Sequence, residues 1–139
     1  MTRINVVPVE ELSDQHLIAE YHELPRVIKQ NINISDAPDK YVLGKGHVKW
    51  AKRHSFYVLS RYVLIVNEMA FRGFRMNYRA FDEDDSAEPQ YVQVGAEDYN
   101  VTQDDIELNR QRIRGKIAAK PDFYRWTKRT QPNWTKKGD

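Results

Sequence analysis

The stretch that decides the fold is SFYVLSRYVLIVNEMAF, residues 55–71. Phe56, Leu59, Val63, Val66 and Ala70 recur at the three-and-four spacing of a helix, and Val58, Tyr62, Ile65 and Met69 form a second stripe at the same period. Apolar residues on more than one face predict a buried central helix. Gly73 is well placed to end it. Upstream, Leu17, Tyr21, Leu24 and Ile28 mark another helix, from about Asp14 to Gln30 or a little beyond, with Ser13 or Asp14 as its cap. Pro25 lies inside that pattern and predicts a lost backbone hydrogen bond and a kink. Ile4 to Leu12 reads as an extended arm leading into it, and Asn33 to Lys40 as a loop.

Downstream, Asn77 to Asn100 is irregular and acidic. Thr102 caps a third helix, aided by Asp104 and Asp105 near its positive end. Ile106, Ile113 and Ile117 would face the core, with Arg110, Arg112, Arg114 and Lys116 mostly outward. Pro121 follows the last turn. Aromatic and basic residues then interleave from Phe123 to Arg129, and Trp134 to Asp139 reads as frayed. No run alternates as strands do. The expectation is one all-α domain over residues 1–139, with three main helices, long connecting loops and a basic tail frayed from about residue 125.

A chain of 139 residues is large enough for a real core. No apolar run is long enough to span a membrane, and no secretory signal opens the chain. With no cysteine, thiol catalysis and cysteine-rich zinc sites are excluded. These features fit a cytoplasmic protein. The net charge of +2 hides a strong asymmetry. Asp82 to Asp105 holds nine acids and no Lys or Arg, which leaves +11 on the rest of the chain. From Arg110 onward the net charge is +8. A basic side facing a polyanion accounts for this pattern, and so does a merely solvated tail.

His16, Glu20 and Glu23 are spaced four and three apart, so they share a helix face, and Arg26 continues it. A solvated face with weak ion pairs is one reading. A divalent metal is another, but it needs further converging ligands and no partner motif supplies them, so no metal is expected. The third is proton transfer beside a nucleophile. Removal of Met1, the norm before a residue as small as threonine, would leave Thr2 with a free α-amine. Its pKa is about 7.7–8.0, against about 10.4 for lysine, so roughly a tenth is neutral at pH 7. Such an amine can form a Schiff base without a special pocket.

Several blocks carry a likeness: Thr2-Arg3-Ile4-Asn5, Glu11-Leu12, Asp14-Gln15-His16-Leu17, Ala19-Glu20-Tyr21 and Glu23-Leu24-Pro25-Arg26-Val27. Leu43-Gly44, Gly46-His47-Val48 and Arg72-Gly73-Phe74 follow in order, then Arg112, Lys116-Ile117-Ala118, Pro121 and Tyr124. In these the chain resembles the phage pyrimidine-dimer DNA glycosylase/AP lyase family, the ultraviolet-repair endonuclease V of large tailed phages. The likeness spans nearly the whole chain. It implies a three-helix body with the N-terminal arm threaded between helices. It implies a monomer of phage or bacterial origin, acting without cofactor on double-stranded DNA with ultraviolet or abasic lesions. Thr2 would be the nucleophile and Glu23 the general acid/base. Arg3 and Arg26 would clamp phosphates, and Gln15, His16, Arg112 and Lys116 would touch DNA or support the site.

Two departures bear on lesion choice. His22 stands where the related phage enzyme has arginine, and it cannot replace a guanidinium fork. In the aromatic tail, Tyr124 is kept, while Phe123, Arg125, Trp126 and Thr127 are substituted. Tyr124 and Arg125 remain candidates for DNA contact, and the aromatics could equally pack the tail on the core. Two alternatives therefore stay open. One is a lyase for abasic or oxidised-base sites. The other is a non-catalytic basic DNA-binding protein.

Overall fold

The computed structural model describes residues 4–77 and 95–136. Thr2 and Arg3, most of the acidic run, and residues 137–139 lie outside the described residues. Those described contain four helices and no strand: α1 (Asp14–Lys29), α2 (His47–Arg53), α3 (Ser55–Arg72) and α4 (Gln103–Ala119). Short 3-10 turns lie at Val9–Glu11 and Asn133–Lys136. The all-α expectation is met, and the three long helices fall where their periodicity puts them. The short α2 is an addition, seven residues with no side-chain cap.

Each long helix starts or stops for a local reason. The Ser13 hydroxyl accepts from the His16 amide at 3.0 Å and caps α1, which runs through Pro25 to Lys29. The buried Lys52 ammonium donates to the carbonyls of Ile28 (2.8 Å) and Gln30, satisfying the far end of α1. Thr102 and Asp105 form a reciprocal capping box on α4. Gly73, at φ 85°, terminates α3 as its left-handed C-cap.

Burial on α3 differs from the expectation. Val58, Ile65 and Met69 face the core, but Phe56 and Val63 are each 58% exposed and Leu64 is 54% exposed. The stripe through Phe56, Val63 and Ala70 is thus an outer face, with Leu59 and Val66 only partly buried. The buried side instead includes Arg61, Glu68 and Arg72. These charges are tolerated because each is paired: Arg61 with Glu20, and Arg72 with both Asp14 and Glu68.

The core is centred on α1, α2 and α3. Trp50 of α2 is fully buried among the rings of Tyr41, His47, His54 and Tyr99. Residues 95–97 dock on the α2–α3 junction, where the Glu97 amide donates to the Arg53 carbonyl at 3.1 Å. A Cβ at Gly95 would lie 1.9 Å from that carbonyl oxygen, so only glycine fits there.

The tail is packed as far as residue 136, where fraying was expected; residues 137–139 lie outside the described residues. The Asp14 carboxylate accepts from the Thr127 amide (3.0 Å), the Thr127 hydroxyl (2.6 Å) and Arg72 (2.9 Å). Arg129 grips Glu68 at 2.8 Å, and the Trp134 indole donates to Glu11 at 2.8 Å. Side-chain anchors of this kind leave little local trace in sequence, because their partners lie more than 60 residues away.

Candidate active site

The arm is threaded between the helices, and side chains rather than a neighbouring strand receive its backbone. Ile4 to Val7 are all buried. The Ile4 amide donates to His47 Nε2 at 3.0 Å, and the Ile4 carbonyl accepts from the Tyr41 hydroxyl at 2.9 Å. The Asn5 amide donates to Glu20 at 3.3 Å. The amides of Val6 and Val7 both donate to Asn109 Oδ1, at 2.7 and 3.1 Å. Arg61 donates to the Val7 carbonyl at 2.8 Å. A buried backbone needs such partners, and all four amides have one.

Glu20 is the hub of this arrangement. Its carboxylate accepts from Asn5 Nδ2 at 2.9 Å and from Arg61 Nε at 2.6 Å. Burial alone would lower the Arg61 pKa, but Glu20 outweighs it and raises it. Glu20 therefore belongs neither to a solvated face nor to a metal site: its oxygens are taken by the arm and by α3.

Beside the arm lies a pocket of about 470 Å³, walled by α1, α4 and the aromatic tail. Asn5, Gln15, His16, Glu23, Lys116 and Tyr124 line it. Gln15, His16, Glu23, Lys116 and Tyr124, with Glu20 and Phe123 beside them, are thus seven residues singled out in sequence that meet around one cavity. His16 stacks on Tyr124 with centroids 4.8 Å apart and planes 11° from parallel, and its Nδ1 lies 2.8 Å from the Ser13 hydroxyl. Burial, then the nearby Lys116 charge, lower the His16 pKa to about 4. Its ring is neutral at pH 7 and supports the wall rather than acting as a cation. Gln15 Oε1 accepts from the Arg125 amide at 3.0 Å and pins the start of the tail.

The other described candidates do not line the pocket. Arg26 lies one turn from Glu23 and pairs with it at 3.4 Å. His22 is exposed on α1, edge-on to Tyr21. Arg112 sits one turn before Lys116 on α4, half-buried. The Arg125 residue is exposed. Arg110 and Arg114 are less outward than expected. Arg110 lies over the Trp134 ring, and Arg114 pairs with Glu107 at 2.8 Å. Among the described residues, Asp39, His54 and Glu97 are close enough to share a cation, with donor atoms within 4.8 Å. Arg53 already contacts both carboxylates, at 3.5 and 3.3 Å, and none of the three lines the Glu23 pocket.

A family model described as "Pyrimidine dimer DNA glycosylase" matches residues 1–82, more than half of the chain. The chain belongs to the pyrimidine dimer DNA glycosylase family. Membership assigns it to DNA repair, and the family acts on ultraviolet-damaged DNA, consistent with DNA as its partner. The matched region holds the arm, α1, α2, α3 and Glu23. The α4 wall with Lys116, and the tail with Tyr124, lie beyond it. No helix among the described residues is long and apolar enough to cross a membrane. Sequence reading missed His47, Arg61 and Asn109, the anchors of the arm. His47 carried a signal as the centre of the Gly46-His47-Val48 block, and Arg61 and Asn109 fall at helical spacing on the stripes of Val58, Ile65 and Met69 and of Ile106, Ile113 and Ile117, which gave their direction but not their partners.

Proposed function

We propose that the protein is a bifunctional glycosylase and AP lyase in which the Thr2 α-amine, freed by loss of Met1, is the nucleophile and Glu23 the general acid/base. The observation that carries this reading is that the buried arm and Glu23 border the same pocket. Asn5 lines it, and three residues of chain let the Thr2 amine reach no farther than about 10 Å from Asn5. The amine nitrogen attacks C1′, and the glycosidic bond breaks with its electrons going to the departing base, which takes up a proton. The amine then loses a proton, the ring C1′–O4′ bond opens, O4′ is protonated with help from Glu23, and an imine forms. Loss of a C2′ proton expels the 3′-phosphate, and water releases the amine from the cleaved sugar.

Arg3 and Arg26 flank this chemistry as phosphate contacts, and their charge favours the neutral amine. Lys116, Arg112, Arg125 and His22 extend the basic border, Gln15 and His16 support the wall, and Tyr124 offers a ring to an unstacked base. The protein works as a monomer on duplex DNA. A second reading, cleavage restricted to abasic sites, is favoured by His22, whose imidazole lacks the fork geometry of arginine.

Borohydride trapping on two duplexes, one with a thymine dimer and one with an abasic site, tests both readings. Adducts at Thr2 on both are expected. Trapping on the abasic duplex alone selects the second reading. Trapping on neither leaves a DNA-binding relative without lyase chemistry. Glu23→Gln should abolish strand cleavage while leaving DNA affinity largely intact; full cleavage by that variant removes Glu23 from the mechanism.

A further inference from the structure

We infer that His47 is a positioning residue for the N-terminal nucleophile, acting through a hydrogen-bond acceptor that fixes Ile4. The inference rests on the Schiff-base reading above. His47 Nδ1 lies 2.8 Å from the Val42 carbonyl oxygen. A carbonyl can only accept, so Nδ1 carries the proton and Nε2 presents its lone pair. The Ile4 amide donates to that lone pair at 3.0 Å. The ring is only 3% exposed. It lies edge-on to Tyr41 and roughly parallel to Trp50. Its orientation is therefore set before the arm arrives.

His47 differs from the other arm anchors in where it acts. Asn109, Glu20 and Arg61 hold residues 5–7. His47 holds Ile4, two residues from Thr2, and two residues of chain reach no more than about 7 Å. Tyr41 holds the carbonyl of the same residue at 2.9 Å. With both polar groups of Ile4 fixed, the direction in which the chain leaves towards Thr2 is constrained. His47 does not line the Glu23 pocket, so it acts on the chemistry only through the arm.

Two variants separate positioning from stability. His47→Gln keeps an acceptor at the reach of Nε2 and loses the bond to Val42. His47→Asn can keep the shorter bond to Val42 and is too short for Ile4. Both remove the ring, so both shift the thermal midpoint alike. The measurement is the single-turnover rate of borohydride-trapped adduct at saturating abasic-site duplex, with duplex Kd and thermal midpoint determined in parallel. His47→Asn should slow trapping about 10- to 100-fold, the scale of a sub-ångström to ångström misplacement, with Kd within about 3-fold of wild type. His47→Gln should trap at a rate within about 3-fold of wild type. Equal losses in the two variants, a wild-type rate in His47→Asn, or an effect confined to Kd would overturn the inference. Absence of trapping by the wild-type protein would overturn the Schiff-base reading and this inference with it, and the wild-type control tells the two failures apart.

Discussion

His16 lines the Glu23 pocket with its ring stacked on Tyr124. The family resemblance implies that it touches DNA or supports the site, and burial and Lys116 hold its pKa down at about 4. An NMR titration of the ring should give a midpoint near 4. Lys116→Ala should raise it only partway to the ordinary 6.5, because burial is the larger cause. The unfolded chain binds a proton near 6.5 and the folded chain does not until about 4. This contribution to stability is therefore complete above pH 6.5 and is lost as pH falls towards 4. His16→Phe, which cannot titrate, should flatten that part of the pH–stability curve. The residues on one face of α1 were legible because helical spacing alone brings them together. Glu20's partner was not: Arg61 is 41 residues away, and neither residue announces a buried pair. Asn109 falls on the stripe of Ile106, Ile113 and Ile117, so its inward direction was legible, but its two amide partners in the arm, more than 100 residues earlier, were not.

At the scale of elements, caps and breakers read well and burial direction read poorly. Thr102, Ser13 and Gly73 end or begin helices through contacts within a few residues, so local sequence contains the whole cause. α3 is apolar on two faces, and its partner decides which is buried. Salt-bridged Arg61, Glu68 and Arg72 turn inward while Phe56, Val63 and Leu64 turn out. α2 is short and uncapped, which leaves periodicity too few turns to detect. The tail is an element held by charge. Asp14→Ala would leave Arg72 with one of its buried carboxylates missing and release Thr127. We expect a loss of about 3–5 kcal/mol in urea unfolding, as for other broken buried pairs. A shift in Trp126 and Trp134 emission should accompany it; a loss under about 1 kcal/mol with unchanged emission would show that Asp14 does not hold the tail. Burial alone would raise the Glu68 pKa, but Arg129 and Arg72 outweigh it and hold it below 4.5. That contribution is present above pH 4.5 and fades as pH falls through the lowered value.

For the whole molecule, charge is segregated along the chain: Lys116 lines the Glu23 pocket, Arg26 pairs with Glu23, and the proposed phosphate border adds Arg112 and Arg125. Neutralising about four phosphates gives a slope of roughly −3 to −4 in log K against log salt. Fluorescence anisotropy on a lesion-bearing duplex across a salt series measures it, and a flat response would contradict a phosphate-binding border. Lys116→Ala should make the slope shallower by about one unit.

The threaded arm has a further consequence, one of timing. Val6 and Val7 hand their amides to Asn109, 103 and 102 residues later in the chain. No earlier residue supplies that acceptor. During synthesis at about 5–20 residues per second, the arm waits about 5–20 seconds before its last anchor exists. Throughout that interval Val6 and Val7 lack the acceptor that completes the seat of the arm. On the Schiff-base reading proposed above, an anchor for the beginning of the chain placed near its end would leave time for Met1 to be removed before the arm from Ile4 onward is seated.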